Sequence, residues 1–149
     1  MTNKQPKAGP ELDAMVAERV MGWVWKDDPL HPEEAPFLVS PDGADCWHRS
    51  GIGRLPAYST DIDAAWGVVE KLGESRGNGQ RHYYVEIAHD TRHGDPSIEG
   101  YTCTIEVSPY WDNPDAEDSD CREVGAFAPT APLAICLAAL AAVKGNPDA

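Results

Sequence analysis

The chain has 149 residues, with 25 acidic against 12 basic side chains and a formal net charge of −13. This length suits one compact domain, and a hydrophobic content of 42% with five Trp and five Tyr is a globular composition. The acidic balance argues against binding to nucleic acid polymers or anionic membranes, because both would be repelled over most of the surface.

Neither the N-terminus nor the cysteines indicate export. The opening segment MTNKQPKAGPELDA lacks the apolar stretch of a signal peptide. Cys46, Cys103, Cys121 and Cys136 form no CxxC pair, so we expect free thiols, with a Cys103–Cys121 disulfide as the alternative. The longest apolar run, residues 133–143, is far shorter than the roughly 20 residues that cross a bilayer. The sequence therefore predicts a cytoplasmic protein.

Residues 1–8 are predicted to be disordered, and residues 9–145 are predicted to form a single domain. A first helix begins at Gly9-Pro10-Glu11, because proline and an acidic side chain favour the first turn, and it ends at Gly22. A short strand starts at WVW (23–25). The segment FLVSPDGADCW (37–47) predicts two strands around an Asp42-Gly43 turn, and HRSGIGR (48–54) predicts a loop.

The second helix follows this loop and ends at Lys71 and Gly73. Its apolar stripe comprises Ile62, Ala65, Trp66, Val69 and Leu72, which assigns Trp66 to the core. Alternating segments then predict antiparallel strands at RHYYVEIA (81–88), YTCTIEV (101–107) and CREVGAFA (121–128), with loops at 89–100 and 108–120.

The last helix, capped by Thr130 or Ala131, is apolar on every side over residues 133–143, so we expect it to be buried. In so small a chain one sheet face does not suffice to cover such a helix, and the sequence therefore also predicts a homodimer. The order of elements predicts an α+β fold, with a largely antiparallel sheet covered by three helices.

Three segments resemble the phage ABA-sandwich domain family of bacteriophages and prophages. They are ELDAMVAERVMGW (11–23), LPAYSTDIDAAWGVVEKL (55–72) and TAPLAICLAALAAV (130–143), which occur in the family's order and cover a little under a third of the chain. The resemblance implies an α/β/α sandwich and a phage origin, and hence the cytoplasm of a bacterial host. It brings no catalytic motif and no cofactor. Residues 89–122 look longer and more acidic than the family's usual sheet connections.

The run Tyr58-Ser59-Thr60-Asp61 before the second helix admits two interpretations. In the favoured one, Ser59 or Thr60 caps the helix, and Asp61 and Asp63 suit its dipole. In the other, the run joins the preceding loop, whose arginines could clamp a phosphate while Gly51 and Gly53 let backbone amides approach it. The predicted ligand-binding residues are then Trp47, His48, Arg49, Arg54, Tyr58, Ser59 and Thr60. The loop matches neither GxGxxG nor a P-loop.

The remaining polar groupings favour solvated loops over chemistry. His89 and His93 are two potential metal ligands without the rest of a site, and the acidic run from Asp112 to Asp120 fits no EF-hand register. Cys46 and His48 share a strand face but have no catalytic setting. The sequence thus predicts no metal, no cofactor and no catalytic residue.

Two classes of function follow. The first is a non-enzymatic phage accessory protein that binds and sequesters a small anionic, nucleotide-like ligand, such as a host immune signal. Trp47 and Trp111 flank loops and could stack on its ring. The alternative is an acidic protein-interaction module that blocks or mimics a host partner, and an enzyme ranks third.

Overall fold

A computed structural model describes residues 6–30, 35–49, 52–73, 82–91, 99–108 and 122–144. Within these ranges, the elements follow the predicted order of helix, strands, helix, strands and helix. The helices are α1 (Pro10–Arg19), α2 (Ile62–Gly73) and α3 (Ala131–Lys144). The strands form two separate antiparallel sheets of three strands each, where the sequence predicts one sheet. The α+β class and the antiparallel pairing are confirmed.

Helix α1 begins at the predicted residue and ends at Arg19, three residues before the predicted stop at Gly22. Gly9 precedes Pro10 at the first helical position, and the N–H of Asp13 donates to the Gly9 carbonyl at 2.9 Å. At the other end, Gly22 adopts a φ of 83°, which glycine reaches without steric cost. The Trp23 N–H then donates to the Ala17 carbonyl at 2.9 Å, which closes the helix and sends the chain into the first sheet.

The first sheet is small and contains β1 (Val24–Lys26), β2 (Phe37–Val39) and β3 (Cys46–Trp47), in that order. The predicted hairpin turn is confirmed between β2 and β3. The Asp42 carboxylate accepts hydrogen bonds from the Ser40 hydroxyl at 2.5 Å and from the Ala44 N–H at 2.9 Å. These bonds lower the pKa of Asp42, and Gly43 takes the positive φ of 76° that the turn requires.

The second sheet contains β4 (His82–Thr91), β5 (Glu99–Ser108) and β6 (Arg122–Ala128), with β5 in the centre. The predicted alternation is confirmed, because Cys103, Ile105 and Val107 are buried while Glu106 is exposed. Strands β4 and β5 extend beyond the predicted segments, so His89 lies within β4 and not in a loop.

Helix α3 lies at the centre of the fold. It contacts all three strands of the second sheet and also contacts α1 and α2. Thr130 caps it as predicted, with its Oγ1 accepting from the Leu133 N–H at 3.4 Å. Six of its residues are fully buried, which confirms its predicted burial: Ala134, Ile135, Cys136, Ala138, Ala139 and Ala142. The sequence predicts that a second copy of the chain supplies part of the cover of this helix. In the structure, the second sheet, α1 and α2 of the same chain cover it.

The predicted core position of Trp66 is wrong. Helix α2 buries Ala65, Val68 and Leu72, and it contacts α3 and β4, whereas the side chain of Trp66 is 51% exposed. Each residue turns a helix by about 100°, so burial of Ala65 and Val68 rotates Trp66 toward solvent. The small Ala65 side chain lets α2 approach α3 closely, which a face centred on an indole would prevent.

Candidate ligand-binding site

The start of α2 corrects the assignment of the capping residue. Asp61 is the cap, because its Oδ1 accepts the N–H of Asp63 at 3.0 Å. The N–H groups of Thr60 and Asp61 both donate to the Ala57 carbonyl, which folds the preceding residues into a turn. Neither Ser59 nor Thr60 caps α2 in the structure. The predicted helix start is confirmed, but the side chain that caps it is Asp61, one residue after Thr60 and two after Ser59.

Ser59 instead joins this turn to the start of α1. Its Oγ accepts the N–H of Gly9 at 2.9 Å, and its own N–H donates to Asp13 Oδ1 at 2.7 Å. Ser59 is fully buried, and Asp13 is 5% exposed. Burial raises the pKa of the Asp13 carboxyl group, and hydrogen bonds from the Ser59 hydroxyl and N–H partly offset that effect.

Tyr58 is buried next to this pair. The indole N–H of Trp23 donates to its hydroxyl oxygen. Burial, with a smaller contribution from the nearby Asp13 carboxylate, raises the pKa of Tyr58 to about 12. Tyr58 therefore stays neutral at physiological pH and packs the loop before α2 onto the core.

A cavity of about 350 Å³ opens between the start of α1, the end of the first sheet and the loop before α2. Four side chains contribute most of its chemical character: Asp13, Trp47, Leu55 and Thr60. Small residues and backbone complete the wall, namely Gly9, Pro10, Gly53 and Ala57. The ionisable group in this lining is the Asp13 carboxyl, and no basic residue of the described chain belongs to it.

Gly53 allows the wall of this cavity to close. It forms a bridge with Trp47 at a φ of 97°. A Cβ at this position would overlap the Cys46 carbonyl oxygen, so a larger residue would have to push the loop away from β3. The sequence predicts that Gly53 lets backbone amides approach a phosphate. In the structure, Gly53 instead lets the loop approach the backbone of β3. Gly51 lies outside the described residues.

Of the seven predicted site residues, two line the cavity and the other five lie outside its lining. Trp47 and Thr60 line the cavity, and Arg54 is an exposed residue between the lining residues Gly53 and Leu55. Tyr58 and Ser59 lie directly behind the lining in the core. His48 and Arg49 point elsewhere: His48 stacks on Phe37 with ring centroids 4.9 Å apart.

Arg49 is engaged by residues outside the cavity. Its guanidinium lies 4.7 Å from the centroid of the Trp25 ring, and its Nη1 is 3.5 Å from Glu11 Oε2. A cation held over an aromatic face is attracted by the ring quadrupole. Of the two arginines in the predicted loop, Arg54 is therefore the one next to the cavity.

Sequence reasoning missed Asp13, although one signal was present. Asp13 belongs to the helix face that also carries Val16 and Ala17, three and four residues further on, and both are buried. A carboxylate on the apolar face of an amphipathic helix requires a buried partner. That partner, Ser59, lies 46 residues away along the chain, so no local pattern could identify it.

The other groups singled out in the sequence lie away from this cavity. His89 Nε2 contacts Glu99 Oε1 at 2.7 Å across the β4–β5 pair. Within the described ranges, no cluster of three or more His, Cys, Asp or Glu side chains is suited to hold a metal ion. Cys46, Cys103 and Cys136 are free thiols. His93, Trp111, Cys121 and the acidic run 112–120 lie outside the described residues.

Comparison with protein families places most of this chain in a known domain family. The model of the phage ABA sandwich domain matches residues 14–140, well over half of the chain. The matched range runs from α1 through both sheets and α2 into α3. No curated protein and no solved structure matches the chain. No helix among the described residues is long and apolar enough to cross a bilayer.

Proposed function

Since the chain belongs to the phage ABA sandwich domain family, we propose that it is a non-enzymatic phage accessory protein that binds and sequesters a small nucleotide-like ligand. In this proposal the protein acts in the cytoplasm of the bacterial host and removes a signal on which host defence depends. Helix α3 packs between the second sheet and the pair α1 and α2, and in this proposal the ligand binds beside the start of α1, at the end of the first sheet. The cavity next to Trp47 is the observation that carries the proposal.

The size and walls of the cavity support a ligand with a ring. Its volume of about 350 Å³ falls in the range of roughly 300–1,000 Å³ that small-molecule sites occupy. Trp47 and Leu55 give it apolar walls, and Thr60 adds a hydroxyl group. Stacking of a base on an aromatic side chain contributes about 1–3 kcal/mol to binding.

Arg54 supports an anionic group on the same ligand. It is exposed, next to two lining residues, and its N–H donates to the Cys46 carbonyl at 2.8 Å, which holds its backbone in place. A chain with a net charge of −13 repels anions at long range, so binding of a phosphate requires a local cation. A guanidinium can supply two parallel hydrogen bonds to such a group.

Binding without turnover is the simplest activity that this lining supports. A general base must reach the proton that it abstracts and must be able to accept it. The Asp13 carboxylate accepts hydrogen bonds from Ser59, which hold this lining residue in place. Its role in this proposal is recognition.

Calorimetric titration with a panel of cyclic nucleotides and ADP-ribose-type compounds tests the proposal. We expect heat of binding with the parent protein and at least a tenfold loss of affinity for Arg54→Ala, at an unchanged melting temperature. Arg19→Ala, at the far end of α1, is the matched control for the loss of one exposed positive charge and should bind like the parent. No heat with the parent across the panel would end the proposal.

A second candidate is an acidic protein-interaction module, which one face of the second sheet favours. Glu86, Glu106 and Glu123 are exposed there beside Tyr84, which is 52% exposed, and Glu106 pairs directly with Glu123. This arrangement suits a basic partner surface. If a host protein copurifies and is lost from the double variant Glu86→Lys/Glu106→Lys but kept by Arg54→Ala, this candidate replaces the first.

A further inference from the structure

The Asp13 carboxylate in the cavity lining limits which chemical groups of a ligand can bind there. Asp13 lies in the lining, is 5% exposed, and is held by Ser59 from behind. A carboxylate offers about four lone-pair positions to hydrogen-bond donors. The Ser59 N–H and hydroxyl occupy two of them, so acceptor capacity remains for a donor that enters the cavity.

This wall excludes some ligand groups and favours others. A phosphate placed in the cavity would face a buried carboxylate, and like charges in a partly desolvated site repel strongly. A ring nitrogen that accepts hydrogen bonds would be repelled by the lone pairs of the Asp13 carboxylate. Adjacent N–H donors on a flat ring are complementary to the carboxylate, and the indole of Trp47 gives that ring an apolar surface.

We propose that the cavity binds the base of the ligand, that this base is guanine or another ring with two adjacent N–H donors, and that Asp13 accepts those donors. The anionic part of the ligand then stays outside the cavity, next to Arg54. Guanine presents its ring N1–H and its 2-amino group side by side. Adenine presents a lone pair at N1 beside a single amino group. This inference rests on the proposed function, because it names the ligand class for the same cavity.

The first test compares ligands on the parent protein, so it needs no variant that must fold. Titrations use guanosine, inosine and adenosine 5′-monophosphates, with ribose 5-phosphate as the probe without a base. We expect the guanine nucleotide to bind at least tenfold more tightly than the adenine nucleotide. The inosine nucleotide, which lacks the 2-amino donor, should fall between them, and ribose 5-phosphate should bind weakest.

Two variants then assign the preference to residues. Asp13→Asn keeps one carbonyl oxygen for the Ser59 N–H but replaces the second acceptor with a donor, so it should reduce the guanine-to-adenine ratio at least tenfold. Ala57→Leu fills the cavity and should lower the affinity for all the nucleotides by a similar factor. Ala44→Leu, at an exposed position in the β2–β3 turn, is its control and should bind like the parent.

The outcomes separate this inference from the proposed function. Equal affinity for the guanine and adenine nucleotides would overturn the donor-edge assignment and leave nucleotide binding intact. Ribose 5-phosphate binding as tightly as the guanine nucleotide would overturn the placement of the base in the cavity. An unchanged base preference in Asp13→Asn with a parent-like melting temperature would also overturn it. No binding of any nucleotide by the parent would overturn both.

Discussion

At the scale of single residues, the most consequential contact joins Asp13 on α1 to Ser59 in the loop before α2. The Ser59 N–H donates to Asp13 Oδ1, 46 residues away along the chain, and the Ser59 Oγ accepts the N–H of Gly9, 50 residues away. Ser59 therefore holds two structural elements together, which the role of a helix cap would not require. The cavity wall depends on the same contact, since Asp13 belongs to the lining and Ser59, which is fully buried, holds it there.

Removing the Ser59 hydroxyl should destabilise the protein more than removing the neighbouring Thr60 hydroxyl. Ser59→Ala leaves the Gly9 N–H without its acceptor in a partly buried place, which costs about 1–3 kcal/mol. Thr60 is exposed and caps nothing, so Thr60→Ala should change the free energy of unfolding by less than about 0.5 kcal/mol. Urea denaturation of both variants measures this difference, and equal losses would contradict it.

The raised pKa of Asp13 predicts a dependence of stability on pH. A carboxyl group that binds its proton more tightly in the folded state destabilises the fold above its folded pKa. That cost disappears as the pH falls through the folded pKa toward the ordinary value of 3.8. The parent should therefore gain stability relative to Asp13→Asn, which cannot ionise, as the pH is lowered from about 7 to about 4.

Denaturation of the parent and Asp13→Asn over this pH range isolates the one group, because the other acidic residues titrate in both proteins. A difference in free energy of unfolding that stays constant with pH would contradict the buried, desolvated state of Asp13.

At the scale of elements, α3 explains how a helix without a polar face is accommodated in a small chain. The second sheet covers one side, and α1 and α2 cover the other. Its alanines allow these neighbours to approach closely, since Ala134, Ala138, Ala139 and Ala142 are all fully buried. Leu133 and Leu137 are only partly buried, so the helix does have a less protected side.

A pair of aspartate substitutions on α3 should report this asymmetry. Ile135 is fully buried, and Ile135→Asp would place an unpaired carboxylate in the core at a cost of about 4 kcal/mol or more. Leu137→Asp, two residues away and partly buried, should cost about half as much, because water can reach the new carboxylate. Thermal melts that rank Leu137→Asp as the more destabilising variant would contradict the orientation of α3.

At the scale of the whole molecule, the exposed face of α2 is the feature that favours a homodimer. Helix α3 needs no second copy for cover, but α2 exposes two large apolar side chains, four residues apart on its outer face. Ile62 is 49% exposed and Trp66 is 51% exposed. Association of two chains with a net charge of −13 each must overcome their repulsion, which salt screens over about 8 Å at physiological ionic strength.

We predict a homodimer that forms through α2. Light scattering in about 0.15 M salt should give twice the 16.2 kDa mass of the chain at micromolar concentration. Trp66→Glu should produce a monomer of unchanged secondary structure. Leu30→Glu, which alters another exposed apolar residue (82% exposed), is the matched control and should remain a dimer. A monomeric parent at high micromolar concentration would refute the prediction.

Most of the local structure can be predicted from the sequence alone. Periodicity and end signals identified all three helices, the Asp42-Gly43 hairpin and the alternating strands of the second sheet, because these depend on residues a few positions apart. It also indicated the loop that forms part of the cavity, since Trp47 and Thr60 were among the predicted residues.

Which faces of the elements pack together follows from the tertiary structure and cannot be predicted from local sequence. The division of the strands into two sheets, the outward turn of Trp66 and the pairing of Asp13 with Ser59 all depend on contacts between distant segments. A helix with apolar residues on more than one side does not specify its rotation, because close packing of small side chains outweighs the size of any one aromatic residue. For the same reason the sequence does not predict that Pro10 and Asp13 of α1 line the cavity. These residues approach the loop before α2 only when α1 and α2 pack against α3.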